Sequence, residues 1–206
     1  MNLKVKYKNM SRNPKGLLGV IMMKRMNAFH HAALSEWAFS FANVPPQGNC
    51  LDVGCGGGAN VKRLLQRTSG NVNGVDYSPT AVSVSKKKNR KAIKAERCAI
   101  LEADVSSLPF LDQSFDFISA FETIYFWASL PTAFIEIRRV LKDGGTFMIV
   151  NEAAGRKEES HKSEAIIQGM KIHSPEEMKD VLLSNGFREV DIKEDNAKDW
   201  VAIFAK

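Results

Sequence analysis

The residues best suited to chemistry form a short run of glycines between an apolar segment and a helical pattern. Residues 51–53 read apolar, acidic, apolar, and a glycine-rich turn follows at residues 54–58. The alternation predicts a buried strand, with a helix beginning directly behind the turn. Gly54 and Gly56 allow a sharp turn with no Cβ in the way, and a helix N-terminus offers free N–H groups to a polar or anionic ligand. The run therefore predicts a site for part of a nucleotide-like cofactor.

The spacing of these glycines is compatible with two cofactors. Residues 54–59 satisfy the dinucleotide fingerprint, and Asp76 follows at about the usual ~20-residue distance. Gly54, Gly56 and Gly58, preceded by Asp52, fit the pattern for S-adenosylmethionine equally well. In both cases the carboxylate that ends the second strand would face a ribose. The glycine run alone leaves the choice open.

Composition indicates a globular protein with a core of its own. Of the 206 residues, 44% are apolar and 25% are charged, which is ordinary for a single folded domain. No apolar run reaches the ~18 residues of a membrane span, so we expect a cytoplasmic protein. The three cysteines form no pair with metal-ligand spacing, and reduced thiols are expected.

The excess of positive charge is concentrated in one segment. The net charge is +6, and much of it lies in residues 86–91 together with Lys94 and Arg97. Such a cluster is compatible with nucleic-acid binding. No aromatic residues interleave these lysines to stack bases, so the solvated face of a helix is the favoured interpretation. The sequence therefore argues against a nucleic-acid partner.

The elements that must position the glycine turn alternate along the chain. Strand patterns occupy residues 51–53, 72–76, 98–104, 114–121 and 146–150, with helical patterns between them, and Gly144 and Gly145 are expected to cap the last of those helices. Residues 15–41 precede the first strand and contain two helical patterns, which suit a lid over a pocket. We therefore divide the chain into an arm and helical lid at residues 1–46 and a core at residues 47–206.

The last strand pattern decides between the two cofactors. Residues 200–204 are wholly apolar, which predicts a strand buried on both faces and inserted within the sheet. The short connection from the pattern around Val190 and Ile192 predicts antiparallel pairing. An ordinary dinucleotide domain lacks this ending.

With that ending, residues 48–206 resemble the class I S-adenosylmethionine-dependent methyltransferases, and among these the small-molecule enzymes of ubiquinone and menaquinone biosynthesis. The resemblance implies an α/β fold with a doubly wound, mostly parallel seven-stranded sheet in the order 3-2-1-4-5-7-6, the last strand antiparallel, and an N-terminal helical lid. The segments that carry it are residues 51–58, 74–76, 103–104 with 108–110, 114–116 and 138–147.

The resemblance also implies S-adenosylmethionine as cofactor, S-adenosylhomocysteine as product, and a role for each matching residue. Main-chain groups of the glycine turn would hold the methionyl part, Asp76 the ribose hydroxyls, and Asp104 the adenine amino group. Tyr77 would lie against adenine, and the carbonyl of Phe121 would face the methionine amine. The implied cofactor-binding residues are Asp52, Gly54, Cys55, Gly56, Asp76, Tyr77, Asp104, Val105 and Phe121.

The expected activity is methyl transfer to a small-molecule acceptor. A base is needed only if the acceptor must lose a proton, and the candidates are His30, His31, Glu122 and Tyr125. No clustered set of histidines and carboxylates is visible in the sequence, so no metal is expected. Three alternatives stay open: a non-catalytic S-adenosylmethionine-binding protein, an RNA methyltransferase, and an NAD(P)-dependent oxidoreductase.

Overall fold

The computed structural model describes residues 31–206, apart from the side chains of residues 159–161. The strands are β1 (Cys50–Val53), β2 (Val72–Asp76), β3 (Cys98–Glu102), β4 (Phe115–Phe121), β5 (Leu141–Asn151), β6 (Val190–Asp195) and β7 (Trp200–Ala205). The helices are α1 (Ala32–Phe39), α2 (Ala59–Leu65), α3 (Pro79–Lys88), α4 (Arg90–Lys94), α5 (Leu130–Val140), α6 (Glu158–Ile166) and α7 (Pro175–Ser184), with a 3₁₀ turn at Ile124–Phe126.

All seven strands form one sheet in the order β3-β2-β1-β4-β5-β7-β6. The pairs from β3 through β5 are parallel, whereas β7 is antiparallel to both of its neighbours. Four of the six residues of β7 are fully buried, including Val201 and Ile203, as a strand enclosed on both edges and both faces requires. The predicted fold class and strand order are confirmed.

Alternation along each strand divides the core into two layers. Leu51, Ile118 and Phe147 face helices α5 and α7, where they meet residues such as Phe134. Their neighbours in sequence, such as Phe117, point to the opposite face, which α1, α2 and α3 cover. The sheet is therefore buried on both sides, and its open carboxyl edge is left for a ligand.

Helix α1 covers the sheet beside β5 and β7. Leu34 and Ala38 are fully buried, and Phe39 lies under the guanidinium of Arg67, whose carbon is 4.3 Å from the ring centroid. Phe41, the last residue of the second helical pattern, lies beyond the end of α1 and is 46% exposed. The first half of the predicted lid, with His30, lies outside the described residues.

Two local expectations from the sequence are wrong. Gly144 and Gly145 do not cap the preceding helix, because α5 ends at Val140 and β5 begins at the next residue. Phe115 pairs with Leu141 and Phe117 with Thr146, so residues 142–145 form a bulge within β5. Residues 79–96 form two helices rather than one, since they break at Asn89, whose side chain donates hydrogen bonds to the carbonyls of Gly58 and Ser85.

Candidate active site

The glycine turn lies at the carboxyl edge of the sheet, where β1, β2 and β4 end side by side. Gly54, Gly56 and Gly58 all have positive φ angles, of 67°, 50° and 73°. L-residues adopt such angles only with strain, whereas glycine adopts them freely. A Cβ on Gly54 would lie 2.1 Å from Oγ1 of Thr123, so the turn closely approaches the segment that follows β4.

Gly56 differs from Gly54 in what surrounds it. A Cβ on Gly56 would meet no atom within 4 Å, so it would project into open space at the mouth of the site. The backbone amide of Gly56 is not open to this space, since it donates a hydrogen bond to Asp76 Oδ2 at 2.8 Å. We call this open space beside Gly56 the cradle.

Asp76 ties the turn to the helix that follows the second strand. Its Oδ1 accepts a hydrogen bond from the Ser78 amide at 2.9 Å, and its other oxygen accepts from Gly56. Burial raises the pKa of this carboxyl group, and the two amide hydrogen bonds oppose that rise. Each carboxylate oxygen still has a second lone pair, so Asp76 retains the capacity to accept from two neighbouring hydroxyl groups.

Asp52 and Cys55 lie deeper than the surface of the turn. Asp52 accepts a hydrogen bond from Ser119 Oγ at 2.7 Å, and burial raises its pKa to about 7. The Cys55 thiol is buried against Ser85, and burial raises its pKa well above the ordinary value. A thiol held in its neutral form is a poor nucleophile, so Cys55 offers a ligand only its backbone.

The predicted adenine side contains one exposed carboxylate and one half-exposed ring. Tyr77 follows β2 with 42% of its surface exposed. Asp104 lies in the loop after β3, where its Oδ1 accepts from the Ser106 amide at 2.8 Å and from the Ser106 hydroxyl at 2.6 Å. These two bonds lower the pKa of Asp104. Val105 is half-buried beside it and packs against the core.

Beyond the turn, the exit of β4 forms a second group of polar side chains. Phe121 ends the strand and packs against Phe39, with ring centroids 5.3 Å apart. Glu122 follows with a φ of 56°, a strained angle for a residue with a side chain. Its Oε1 accepts hydrogen bonds from the Tyr125 hydroxyl at 3.2 Å and from the backbone amide of Glu152.

His31 and Glu152 join Glu122 at this exit. His31 Nδ1 lies 4.0 Å from Glu122 Oε2, and one ligand atom from each of the three residues lies within 4.8 Å of the other two. Burial, and after it the charge of Glu152, raises the pKa of Glu122 well above its ordinary value. We call His31, Glu122 and Glu152 the acceptor cluster, because their nitrogen and oxygen atoms can accept hydrogen bonds.

The structure thus brings together three of the four candidate bases, while His30 lies outside the described residues. The sequence analysis missed Glu152. The signal was present, because Glu152 is the first residue after β5, and Asp76 likewise lies at the end of β2. The rule that assigns strand-end carboxylates to the carboxyl edge applies to both residues.

Comparison with known proteins finds similarity to methyltransferases over part of this chain. Residues 51–149 match a family described as "Methyltransferase domain". The chain is 30% identical over 123 residues to the 2-phytyl-1,4-naphtoquinone methyltransferase of Trichormus variabilis, covering 59% of this chain and 54% of that protein. It is 33% identical over 101 residues to the sterol 4-C-methyltransferase strm-1 of Caenorhabditis elegans, covering 49% and 30%.

The fold has close counterparts among solved structures. The crystal structure of a SAM-dependent methyltransferase from Aquifex aeolicus superposes with a TM-score of 0.75 at 18% identity, covering 90% of this chain and 97% of that one. This likeness shows the fold. The chain spans about half the length, or less, of the curated relatives described above. The matched residues run from β1 into β5 and contain the glycine turn, Asp76 and Glu122.

Proposed function

We propose that this chain transfers a methyl group from S-adenosylmethionine to a small-molecule acceptor, because residues 51–149 match the methyltransferase-domain family and the sheet has the class I strand order. The observation that carries the proposal is the link between the glycine turn and Asp76. This hydrogen bond holds the glycine turn next to the end of β2 at the carboxyl edge of the sheet, and these are the two segments that would bind the cofactor. The substrate classes in the names of the relatives, a naphthoquinone and a sterol, support a small molecule as acceptor.

The residues at this edge fit the cofactor. The open space beside Gly56 accommodates the methionyl part, and the remaining lone pairs of Asp76 suit the two ribose hydroxyls. Tyr77 and Asp104 lie on the loops where the adenine would be held. In Asp104, Oδ1 accepts both bonds from Ser106, which leaves Oδ2 without a hydrogen-bond partner within residues 31–206.

Bound S-adenosylmethionine supplies a sulfonium methyl group that a nucleophile attacks as the carbon–sulfur bond breaks and its electrons stay on sulfur. The protein has to align the acceptor and exclude water. The segment after β4 is suited to both tasks, because Thr123 lies against Gly54 and Tyr125 is buried beneath Glu122. His31, the residue before α1, lies 4.0 Å from Glu122 and so brings part of the predicted lid region to this segment.

Two rival functions find less support. A nicotinamide oxidoreductase does not account for the inserted antiparallel strand β7. An RNA methyltransferase would use the basic helices α3 and α4, which carry Lys86, Lys87 and Lys88 without aromatic partners for bases.

Among residues 31–206, no helix is both long enough and apolar enough to cross a membrane.

Replacing Asp76 tests the proposal. Asp76→Ala removes the acceptor for the ribose hydroxyls, and a buried polar group left unsatisfied costs on the order of 1–3 kcal/mol. We expect S-adenosylmethionine binding to weaken by roughly tens-fold in calorimetry. The exposed Asp180→Ala on α7 is the matched control and should bind as the parent does. Tight NADH binding by the parent, with no heat from S-adenosylmethionine, would overturn the proposal.

A further inference from the structure

The acceptor cluster joins side chains from three separate parts of the chain at the exit of β4. His31 precedes α1, Glu122 follows β4 and Glu152 follows β5, and all three side chains are partly accessible. A neutral imidazole nitrogen and two carboxylates are all hydrogen-bond acceptors. Their convergence creates a site that prefers a positively charged donor.

Resting on the proposed methyl transfer, we propose that His31, Glu122 and Glu152 bind the ammonium group of the acceptor, so that the substrate is a primary or secondary amine. In the same site Glu122 takes the proton that the amine must lose. The names of the two relatives described above do not point to an amine as methyl acceptor, because one name contains a naphthoquinone and the other a sterol.

The spacing of the ligand atoms favours an ammonium group over a metal ion. Acceptors at about 2.8 Å from one tetrahedral nitrogen lie about 4.6 Å from each other. Ligands at about 2.1 Å from a tetrahedral or octahedral metal lie only about 3.0 to 3.4 Å apart at adjacent positions. The observed separation of His31 Nδ1 and Glu122 Oε2 is 4.0 Å, and all three atoms lie within 4.8 Å of one another. A metal ion would require the cluster to contract.

The electrostatics of the cluster also favour a cation. The carboxylates of Glu122 and Glu152 repel each other, and this repulsion adds to the effect of burial in raising the pKa of Glu122. A bound ammonium group between the two carboxylates would lower the pKa of Glu122 and so oppose the effects of burial and of the Glu152 charge. Tyr125 supports Glu122 from below through its hydroxyl, and Tyr125 is itself fixed by the Ala153 amide at 3.1 Å.

The position of the cluster makes the bound amine the reacting group. Gly54 of the glycine turn lies against Thr123, the residue next to Glu122, so the cluster is one residue away from a contact with the turn. When an N–H bond of the ammonium breaks, an O–H bond forms on Glu122, and nitrogen regains the lone pair that methyl transfer needs. The product leaves as an N-methylammonium ion, and Glu122 returns its proton to water.

The test titrates Glu122 directly rather than relying on a guessed substrate. Protein labelled with ¹³C at the glutamate carboxyl groups is saturated with S-adenosylhomocysteine, and Glu122→Gln assigns the signal. Excess methylammonium chloride is then compared with sodium chloride at equal ionic strength. An ammonium ion within about 4–6 Å should lower the pKa of Glu122 by roughly one to three.

Glu152→Gln should weaken methylammonium binding about tenfold or more, whereas the exposed Glu176→Gln should leave it unchanged.

Each other outcome is decisive. If methylammonium acts no differently from sodium while S-adenosylhomocysteine binds, the amine proposal fails and the methyltransferase proposal stands. If Glu122→Gln or Glu152→Gln weakens S-adenosylhomocysteine binding more than tenfold, the cluster holds the cofactor's own amine instead. If paramagnetic resonance shows one Mn²⁺ bound in the parent and none in Glu152→Gln, the cluster is a metal site. If S-adenosylhomocysteine does not bind, the methyltransferase proposal fails, and with it this one.

Discussion

Asp52 places a carboxyl group inside the sheet beside the glycine turn. It is 2% exposed, and its partner is the hydroxyl of Ser119 on the neighbouring strand β4. Burial raises its pKa to about 7, the nearby charge of Asp76 contributes to that rise, and the Ser119 hydrogen bond opposes it. The group therefore changes its charge near neutral pH, where an ordinary aspartate is fully ionised.

The raised pKa makes stability depend on pH through Asp52. Below pH 3.8 the group is protonated in both states, and above it the unfolded chain ionises while the folded one stays neutral until about pH 7. The free energy of unfolding therefore falls by up to about 4 kcal/mol as the pH rises from 3.8 to about 7. Asp52→Asn should be more stable than the parent at pH 8 and similar to it at pH 3.5, as measured by urea unfolding.

The exposed Asp180→Asn is the control for that series and should follow the parent at both pH values. A stabilisation by Asp52→Asn that is equal at both pH values would show that ionisation is not the cause.

The glycines of the turn offer a matched pair of substitutions. Alanine at Gly54 or Gly56 would adopt the left-handed region at a cost of about 1–2 kcal/mol. Only at Gly54 would the new Cβ also clash, 2.1 Å from Thr123 Oγ1. We expect Gly54→Ala to lower the free energy of unfolding more than Gly56→Ala. Gly56→Ala should mainly weaken S-adenosylmethionine binding, because its methyl group occupies the cradle. Unfolding and calorimetry on both variants would check this, and unchanged affinity in Gly56→Ala would contradict the placement of the cofactor.

At the residue scale, the sequence indicated that the glycine turn and Asp76 lie together, whereas it did not indicate the whole acceptor cluster. Gly56 and Asp76 belong to one strand–turn–helix unit and the strand after it, so their spacing carries the information. His31, Glu122 and Glu152 are far apart in the chain and meet only through the order of β4 and β5. Their approach depends on side-chain rotamers and on the strained backbone of Glu122, which no pattern of residues indicates.

Among the elements, α1 joins the N-terminal region to the core. Its inward residues fill the layer that also contains Phe117 and Met148. A deletion ending at residue 40 would remove Leu34 and Phe39 and would expose that layer, whereas a deletion ending at residue 30 leaves α1 in place. The shorter deletion is therefore the better test of whether the preceding residues act as a lid.

Leu34→Ala measures how firmly α1 belongs to the core. Leu34 is fully buried, and large-to-small changes at such positions cost about 2–5 kcal/mol. Leu183→Ala is the matched control, because that leucine on α7 is 41% exposed and surface changes usually stay within about 0.5 kcal/mol. Chemical denaturation of both variants gives the comparison. An equal, small effect in both would mean that α1 detaches before the sheet unfolds.

Element boundaries were predictable where a side chain marks them. Ser174 accepts a hydrogen bond from the Glu177 amide and caps the start of α7, and Gly186 follows the end of the helix with a φ of 95°. Gly144 and Gly145 carried an ambiguous signal, because glycines suit both a helix end and a bulge. The pairing of β4 with β5 places these glycines in a bulge. A local sequence pattern does not reveal how two strands pair.

On the scale of the whole molecule, one apolar segment predicted that the last strand is inserted within the sheet. Trp200–Ala205 lacks the alternation of an edge strand, and the structure places it between β5 and β6. The strand order confirms the predicted fold, and the family match at residues 51–149 supports the proposal of S-adenosylmethionine rather than a nicotinamide as cofactor. The acceptor could not be predicted in the same way, since one fold serves many substrates.

The insertion of β7 has a consequence for how the protein is made. A ribosome delivers β5 and β6 before β7, yet these two strands lie about 9.6 Å apart in the finished sheet, two strand spacings. They cannot pair across that gap, so β5 keeps an apolar edge open until Trp200–Ala205 has emerged. The sheet therefore closes only after synthesis of its seventh strand. A stalled or truncated nascent chain exposes this edge to its neighbours, and chaperones that shield unpaired strands would act during that interval.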